Sequence, residues 1–337
     1  MRAIAGESVI TLAADIDPNA AGLYLVAPAQ RAIVQRGDSA GFAASLLELC
    51  IREHVDVLIP TVDEELLPLA RTREHFERAG VAMVLAGERT LEVCLDKWLL
   101  HQRCREVVRV PACWLADEIF DPGEPELPVI AKPRRGSGSR GVELLCTREQ
   151  LERVPRDATL IVQEHLPGQE YSLDVLAGAD GVVRAVVPRE RLKVDSGVAV
   201  AGRTLHDEGL QSLALAVADA IELTTVANVQ VKRAGDGTPA LLEVNPRFPG
   251  TMPLTVAAGI DMPSLALAEA LGDALPREPL RFTDVAMVRY LEGQVVPLAE
   301  LADIELKALE TERRAHGAGE MVSVAPLPGV AAGSAAP

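Results

Sequence analysis

Up to about residue 115 the apolar positions fall into short runs separated by segments of helical period. Residues 9–16 and 81–86 read as strands, and 55–60 (VDVLIP) is apolar enough for a strand buried on both faces. Residues 23–27 read as a shorter strand after a loop with Pro18 and Gly22. Ser39 is placed to cap a helix reaching about His54, along which Phe42, Leu46, Leu49 and Cys50 recur at helical spacing. Asp63 is placed to cap a second helix that stops at Gly80. This rhythm predicts an α/β fold with a doubly wound parallel sheet. The strand–turn–helix unit that usually opens such a domain has no counterpart after a lead of only eight residues, so the domain reads as abbreviated or as continuing from upstream.

From about residue 120 the texture changes. Residues 121–128 are rich in Pro and Glu and read as a linker. Short strands are predicted at 128–132, 141–146, 160–164, 170–176 and 181–187, a helix at 207–223, and two more strands at 226–234 and 240–245. This part is α+β in character. The chain after about Ala315 is rich in Gly, Ala and Pro and is expected to be disordered.

Composition narrows the function classes. The chain has 337 residues and a formal net charge of −16, which argues against a sequence-independent nucleic-acid binder. Aromatic residues make up 3%, too few for stacking platforms along single strands. Five Cys without a C-x-x-C pair suit neither a disulfide framework nor a zinc site, and a reducing cytoplasm is their simplest home. The first residues (MRAIAGESVI) lack the apolar core of a signal peptide, and no stretch approaches the length of a membrane span, so no membrane partner is expected. The 33 basic residues include only five Lys, at 97, 132, 193, 232 and 307, which makes each one worth locating.

Three motifs carry chemistry. After Lys132 the chain reads P-R-R-G-S-G-S-R-G, with Gly136, Ser137, Gly138 and Gly141 among cations. It matches G-x-G-x-x-G, but a strand rather than a helix is predicted next, so a hairpin flap over phosphates fits better than a dinucleotide turn. The second is L-L-E-V-N-P-R, 241–247. The turn at Asp236-Gly237 implies a hairpin in which Gln230 faces Glu243 and Asn228 faces Asn245, with Val229, Val231, Leu242 and Val244 on the other side. That polar face offers oxygen donors suited to Mg²⁺, or it is a solvated or internally bonded face. The third is V-Q-E-H-L-P-G-Q-E, 162–170, where Glu164 and Glu170 flank a Pro-Gly connector; a surface connector and a ribose or adenine contact both remain open. Asp63 and Glu64 follow the buried strand at the end where ligands collect, so they are either acids favoured by a helix N-terminus or a contact for a substrate amine.

Taken in order, D-K (96–97), V-I-A-K-P with its glycine flap, Q-E-H-L-P-G-Q-E, N-V-Q and L-L-E-V-N-P-R resemble the ATP-grasp superfamily. The resemblance is closest to ligases related to the carbamoyl-phosphate synthase large chain, and it runs from about residue 16 to 289. It implies a Rossmann-like domain over 1–92, an ATP-grasp domain over 93–300 with its flap subdomain at about 110–165, and an extension over 301–337. It implies ATP and Mg²⁺ (or Mn²⁺) as cofactors. Lys97 and Lys132 would contact phosphates, Gln163 and Glu164 adenine, and Glu170 the ribose. Gln230, Glu243 and Asn245 would hold the metal, and Arg247 would steady the transferred phosphoryl group. Arg189, Arg191 and Lys193 alternate along P-R-E-R-L-K and form either a face for the acceptor carboxylate or a solvated one.

The implied reaction is ligation of a small-molecule carboxylate to an amine or thiol through an acyl phosphate, with release of ADP and phosphate. That is carbon–nitrogen bond formation without an enzyme nucleophile. Homodimers are common for such folds. The other readings are a bicarbonate-using carboxylase or carbamoylating enzyme, a non-catalytic ATP-binding module, and, through the glycine match, a nicotinamide oxidoreductase.

Overall fold

The computed structural model describes residues 9–136, 138, 140–195 and 197–321, the last six by their backbone. The chain forms two compact units, one from Leu47–Glu292 and the other from Ile10–Leu46 with the chain beyond Gly293. This division differs from boundaries at 92 and 300.

In the smaller unit β1 (Ala13–Asp15) pairs in parallel with β2 (Arg31–Ile33). The expected strand at 23–27 is instead a 3-10 helix, Ala21–Leu25, which buries Leu23. Three residues are too few to show alternation, which is why β2 gives no sequence signal. Helix α1 (Phe42–Arg52) follows and carries the chain into the larger unit.

There β3 (Val57–Leu58) leads to α2 (Asp63–Arg71), α3 (Arg73–Arg78) and β4 (Ala82–Met83), and β3 and β4 pair in parallel. The predicted helix over 63–80 is thus broken at Thr72. Asp63 does not cap it: Glu65 Oε1 accepts from the backbone N–H groups of Thr61 and Val62, leaving Asp63 free to reach elsewhere. Helices α4 (Glu88–Cys94) and α5 (Lys97–Cys104) complete this stretch.

Next come β5 (Cys113–Leu115), β6 (Val129–Pro133), β7 (Glu143–Leu145), α6 (Arg148–Glu152) and β8 (Leu160–Glu164). The four strands form an antiparallel sheet in the order β5-β8-β6-β7. A strand, not a helix, follows the glycines, as the flap reading requires.

The largest sheet is built from β9 (Glu170–Ala177), β10 (Val183–Asp195), β11 (Val198–Thr204), then, after α7 (Glu208–Ala220), β12 (Val226–Arg233) and β13 (Pro239–Asn245). Helices α8 (Met252–Ala257) and α9 (Met262–Ala270) precede its edge strand β14 (Ala286–Val288). The order is β13-β12-β9-β10-β11-β14, antiparallel throughout. Asp207 caps α7 by accepting from Leu210 N at 3.0 Å. One face of this sheet packs Leu173, Val175, Val229, Val231 and Val244 against α7 and α5 residues such as Leu213, Val217 and Leu100.

Back in the smaller unit, α10 (Leu298–Met321) continues past the point where disorder was expected, and the rest of that expectation, 322–337, lies outside the described residues. No helix among the described residues is long and apolar enough to cross a membrane.

Candidate functional site

The site grows from the alternation of the large sheet. Residues paired across antiparallel strands point to the same side. Asn245 pairs with Asn228 and Asn228 with Asp174; Glu243 pairs with Gln230, Gln230 with Ser172, and Ser172 with Arg189. Lys232 pairs with Glu170. One polar face therefore opposes the apolar face of the same strands, and it lines a cleft of about 630 Å³ whose other walls include β6, β8 and the glycine flap. The hairpin register matches expectation from Asn228 to Gln230, then shifts by one residue: Val231 faces Leu241, so Leu242 is inserted as a bulge. Leu242 consequently lines the cleft instead of joining the apolar face.

Opposite, Lys132 on β6 is buried and donates from Nζ to Gln163 Oε1 at 2.7 Å. Burial pushes its pKa below that of an ordinary lysine, while the Glu243 carboxylate works the other way. Lys97, in the first turn of α5, donates from Nζ to the Gly136 carbonyl at 2.7 Å, so one cation touches the flap from its helix. Gly136, Gly138 and Gly141 all have positive φ, and a Cβ at Gly141 would come within 3.0 Å of Pro133, so the flap needs glycine there. Ser137 lies outside the described residues.

Arg134 and Arg135 are not held out to an anion. Both bond the fully buried Asp96, from Nε at 2.6 Å and 3.2 Å, and Asp96 also caps α5 through Trp98 N and Leu99 N. Gln163 is spent on Lys132 rather than presented to a base, and Glu164 Oε2 accepts from Ala112 N at 3.0 Å. Glu164 still lines the cleft with Ile130, His165 and Leu166.

Arg247 enters the cleft with both Nε and Nη2 bonded to Asp63, at 2.6 Å and 2.9 Å. Burial opposes its charge, but Asp63 outweighs this and raises its pKa further. Asp63 is thus a partner of Arg247 with both oxygens engaged, not an open contact for an amine, and Glu64 stands 3.9 Å from Arg140. Arg189, Arg191 and Lys193 do not share a face of the cleft. Arg189 is buried against Asp174 and Thr251. Arg191 lines the cleft and donates from Nη1 to Glu170 Oε1 at 2.7 Å. The register slips on either side of Lys193 and leaves it exposed outside the cleft lining. Ser172, Thr251 and Lys232 line the cleft without having been singled out by motif. The row positions of Ser172 and Lys232 follow from the β9–β12 pairing, which joins strands distant in sequence, and Thr251 stands at the start of α8.

Gln230, Glu243 and Asn245 are brought together as one oxygen-donor set, with Asn245 Nδ2 bonded to Glu243 Oε1 at 3.2 Å. A hard cation such as Mg²⁺ takes one or two carboxylates and fills its shell with phosphates and water, so one half-exposed carboxylate with two amides fits that group. Cys113, whose register partner on β8 is Gln163, is no nucleophile: burial pushes its thiol up to about 12. The arrangement can therefore seat a polyanion with its cation between two sheets.

Comparison with known proteins bears on the fold. Residues 156–294 match the family model described as ATP-grasp in the biosynthetic pathway with Ter operon, and residues 2–84 match the PylC-like N-terminal domain. Among solved structures, biotin carboxylase from Campylobacter jejuni, in complex with β,γ-ATP, superposes with a TM-score of 0.65 at 16% identity, over 76% of this chain and 64% of that one. The biotin carboxylase domain of 2-oxoglutarate carboxylase from Hydrogenobacter thermophilus, solved as a dimer with MgADP, ADP and bicarbonate, gives 0.61 at 16% identity, over 71% and 59%. Pyruvate carboxylase from Rhizobium etli gives 0.61 at 18% identity, over 74% of this chain and 26% of that one. The chain thus spans less than two thirds of these relatives, and it has the ATP-grasp fold.

Proposed function

We propose that this chain of ATP-grasp fold is an ATP- and Mg²⁺-dependent ligase that joins a small carboxylic acid to an amine, or to a thiol, through an acyl phosphate. The observation that carries this reading is the convergence, in one cleft, of Lys97, Lys132 and Arg247 on the oxygen-donor set Gln230, Glu243 and Asn245. Phosphoryl transfer is chiefly positioning and charge stabilisation, which is what such a cleft offers.

Lys97 and Lys132 bind phosphate oxygens beneath the flap at Gly136, Gly138 and Gly141, with Ser137 belonging to the same loop. Gln163 steadies Lys132, Glu164 and the adjoining backbone border the base, and Glu170 takes the sugar. Gln230, Glu243 and Asn245 would hold Mg²⁺, which supplies charge neutralisation of the triphosphate when bound. Asp63 holds the Arg247 fork in place, so that it meets the phosphoryl group without a search through rotamers. An oxygen of the substrate carboxylate forms a bond to the γ-phosphorus while the bridging P–O bond breaks and its electrons leave with ADP. The amine nitrogen then bonds the acyl carbon, phosphate leaves, and the amine proton passes to solvent.

Hydroxylamine trapping tests the reading. Carboxylic and amino acids are incubated with ATP and Mg²⁺, and acyl hydroxamate is measured. A substrate-specific signal that Glu243→Ala abolishes supports the ligase. Nucleotide binding without hydroxamate or ADP for any acid would favour a binding module, and ADP release that depends on bicarbonate would favour a carboxylase.

A further inference from the structure

Arg191 meets three acceptors in the cleft, and the reaction as written gives it no task. Its Nη1 donates to Glu170 Oε1 at 2.7 Å and sits 3.4 Å from Gln230 Oε1, and its Nη2 donates to the Gly197 carbonyl at 2.7 Å. The side chain is 8% exposed, against 30% for Glu170. Its Nε is buried and has no partner. Fold stability alone gives no reason to keep a buried guanidinium one donor short, since such a group costs more than it returns unless its geometry serves something. The backbone is fixed too. Gln169 Nε2 donates to the Arg191 carbonyl at 2.9 Å, just before the register of β10 slips.

We infer that Arg191 is a positioning residue that holds Glu170 in its sugar-binding orientation and ties that carboxylate to Gln230, so that one buried fork sets both sugar recognition and the metal end of the nucleotide site. This rests on the nucleotide reading above. The bond to Arg191 uses Glu170 Oε1, which leaves Oε2 to accept from a sugar hydroxyl. Glu170 and Gln230 sit one row apart on neighbouring strands β9 and β12, on the same face, and the guanidinium spans that gap. A planar fork can hold two acceptors at fixed angles, which an ammonium on a flexible stem cannot. The same fork reaches Gly197 at the β10–β11 turn, so the hairpin and the sugar contact share one anchor.

The test is discrimination between ATP and its 2′-deoxy and 3′-deoxy analogues, read as equilibrium dissociation constants without any acceptor substrate. The wild-type chain is expected to prefer ATP over at least one analogue by about tenfold, the size of one hydrogen bond to a charged group. Glu170→Gln and Arg191→Leu should each bring that ratio to within about twofold, and the double variant should lower it no further. Arg191→Lys, a milder change should Arg191→Leu fold poorly, should lie between. The Mg²⁺ concentration for half-maximal ATP binding should rise several-fold in both Arg191 variants. Arg191→Leu or Arg191→Lys with the wild-type ratio overturns the inference. So does an Arg191 variant of unchanged melting temperature that binds neither ATP nor its analogues, because Arg191 would then be a direct ligand. A wild-type chain that binds ATP without discriminating removes the sugar role of Glu170 and this inference with it, while leaving the ligase reading in place. A wild-type chain that binds no ATP sinks that reading first.

Discussion

The two faces of the six-stranded sheet are made by the same strands and have opposite natures. Along β9, Leu173 and Val175 point to the packed side, while Ser172 and Asp174, between and beside them, point to the opposite, polar side, where Ser172 lines the cleft. Along β12, Val229 and Val231 alternate with Asn228 and Gln230 in the same way. The period of two is thus used twice, once to bury apolar surface under α7 and once to array donors for a ligand. Yet the polar face is not uniform. Toward α8 it is sealed: Asp174 is fully buried and accepts from Arg189, Asn228 and Thr255. Toward Glu243 it is open. The comparison predicts that position along the face, rather than polarity, decides whether a residue supports the fold or the chemistry.

The hardest break comes at the sealed end. Asp174→Ala leaves Arg189, whose side chain is 3% exposed, without its counter-charge. Breaking a buried pair from one side costs about 3–5 kcal/mol. Urea unfolding followed by circular dichroism should show a lower midpoint with an unchanged slope, and an unfolding free energy reduced by that amount. Arg247 lies four residues before Thr251, which Arg189 holds, so whatever folded variant remains should also lose hydroxamate formation. A polar-face residue would then behave as a core residue.

Val229→Ala breaks the packed face. The side chain is fully buried, and its loss is expected to cost about 2–3 kcal/mol. ATP affinity, measured well below the melting temperature, should stay within about twofold of wild type, because the cleft side of β12 is untouched. A change in affinity as large as the change in stability would show that the two faces are not separable.

How much of this was legible in the sequence depends on contact distance along the chain. The β12–β13 hairpin could be read because Asp236-Gly237 closes it locally and Gly237 has the positive φ that such a turn demands. The bulge could not, since Leu241 and Leu242 are both apolar and periodicity does not say which one is extra. Asp63 looked like a cap because it stands at a helix start, and its actual partner, Arg247, is 184 residues away. Arg134 and Arg135 are among the cations around the flap glycines, and Asp96, which takes them both, is nearly forty residues upstream. Motifs gave the open end of the site, and the residues that brace it are long-range pairs.

Asp96 offers a smaller effect that sharpens the contrast, since it belongs to α5 on the packed side but bonds the flap. Burial opposes its charge, but the bonds from Arg134, Leu99 N and Arg135 outweigh that and hold its pKa below the ordinary carboxylate value. A depressed folded pKa means that its contribution is fully present above about pH 4, the unfolded value, and is lost as pH falls through the folded one. Asp96→Asn keeps an oxygen for the cap and removes the charge. Its cost should be about 1–2 kcal/mol at pH 7. The gap to wild type should close in strong acid, so stability plotted against pH should have a flatter acid limb in the variant. A gap that stays constant down to pH 2 would mean that the charge contributes nothing.

Glu243→Gln should have the smallest effect on stability and the clearest effect on chemistry. The carboxylate is half-exposed at the open end of the face, bonded at 3.2 Å to a neighbouring amide that a glutamine oxygen can serve equally well. Its stability should therefore stay within about 0.5 kcal/mol of wild type, the usual range for a substitution that breaks no buried pair. What changes is charge. Lys132 loses the carboxylate that works against its burial, so its already lowered pKa should fall further. ATP affinity in the variant should then decline at lower pH than in wild type as the solution is made alkaline, because a neutral amine does not attract phosphate. Dissociation constants measured from pH 6 to 9 would reveal that shift even where turnover is gone. If Glu243→Gln instead lowered the melting temperature as Asp174→Ala does, the open end would be as structural as the sealed one, and the cleft would owe its acid to the fold rather than to a ligand.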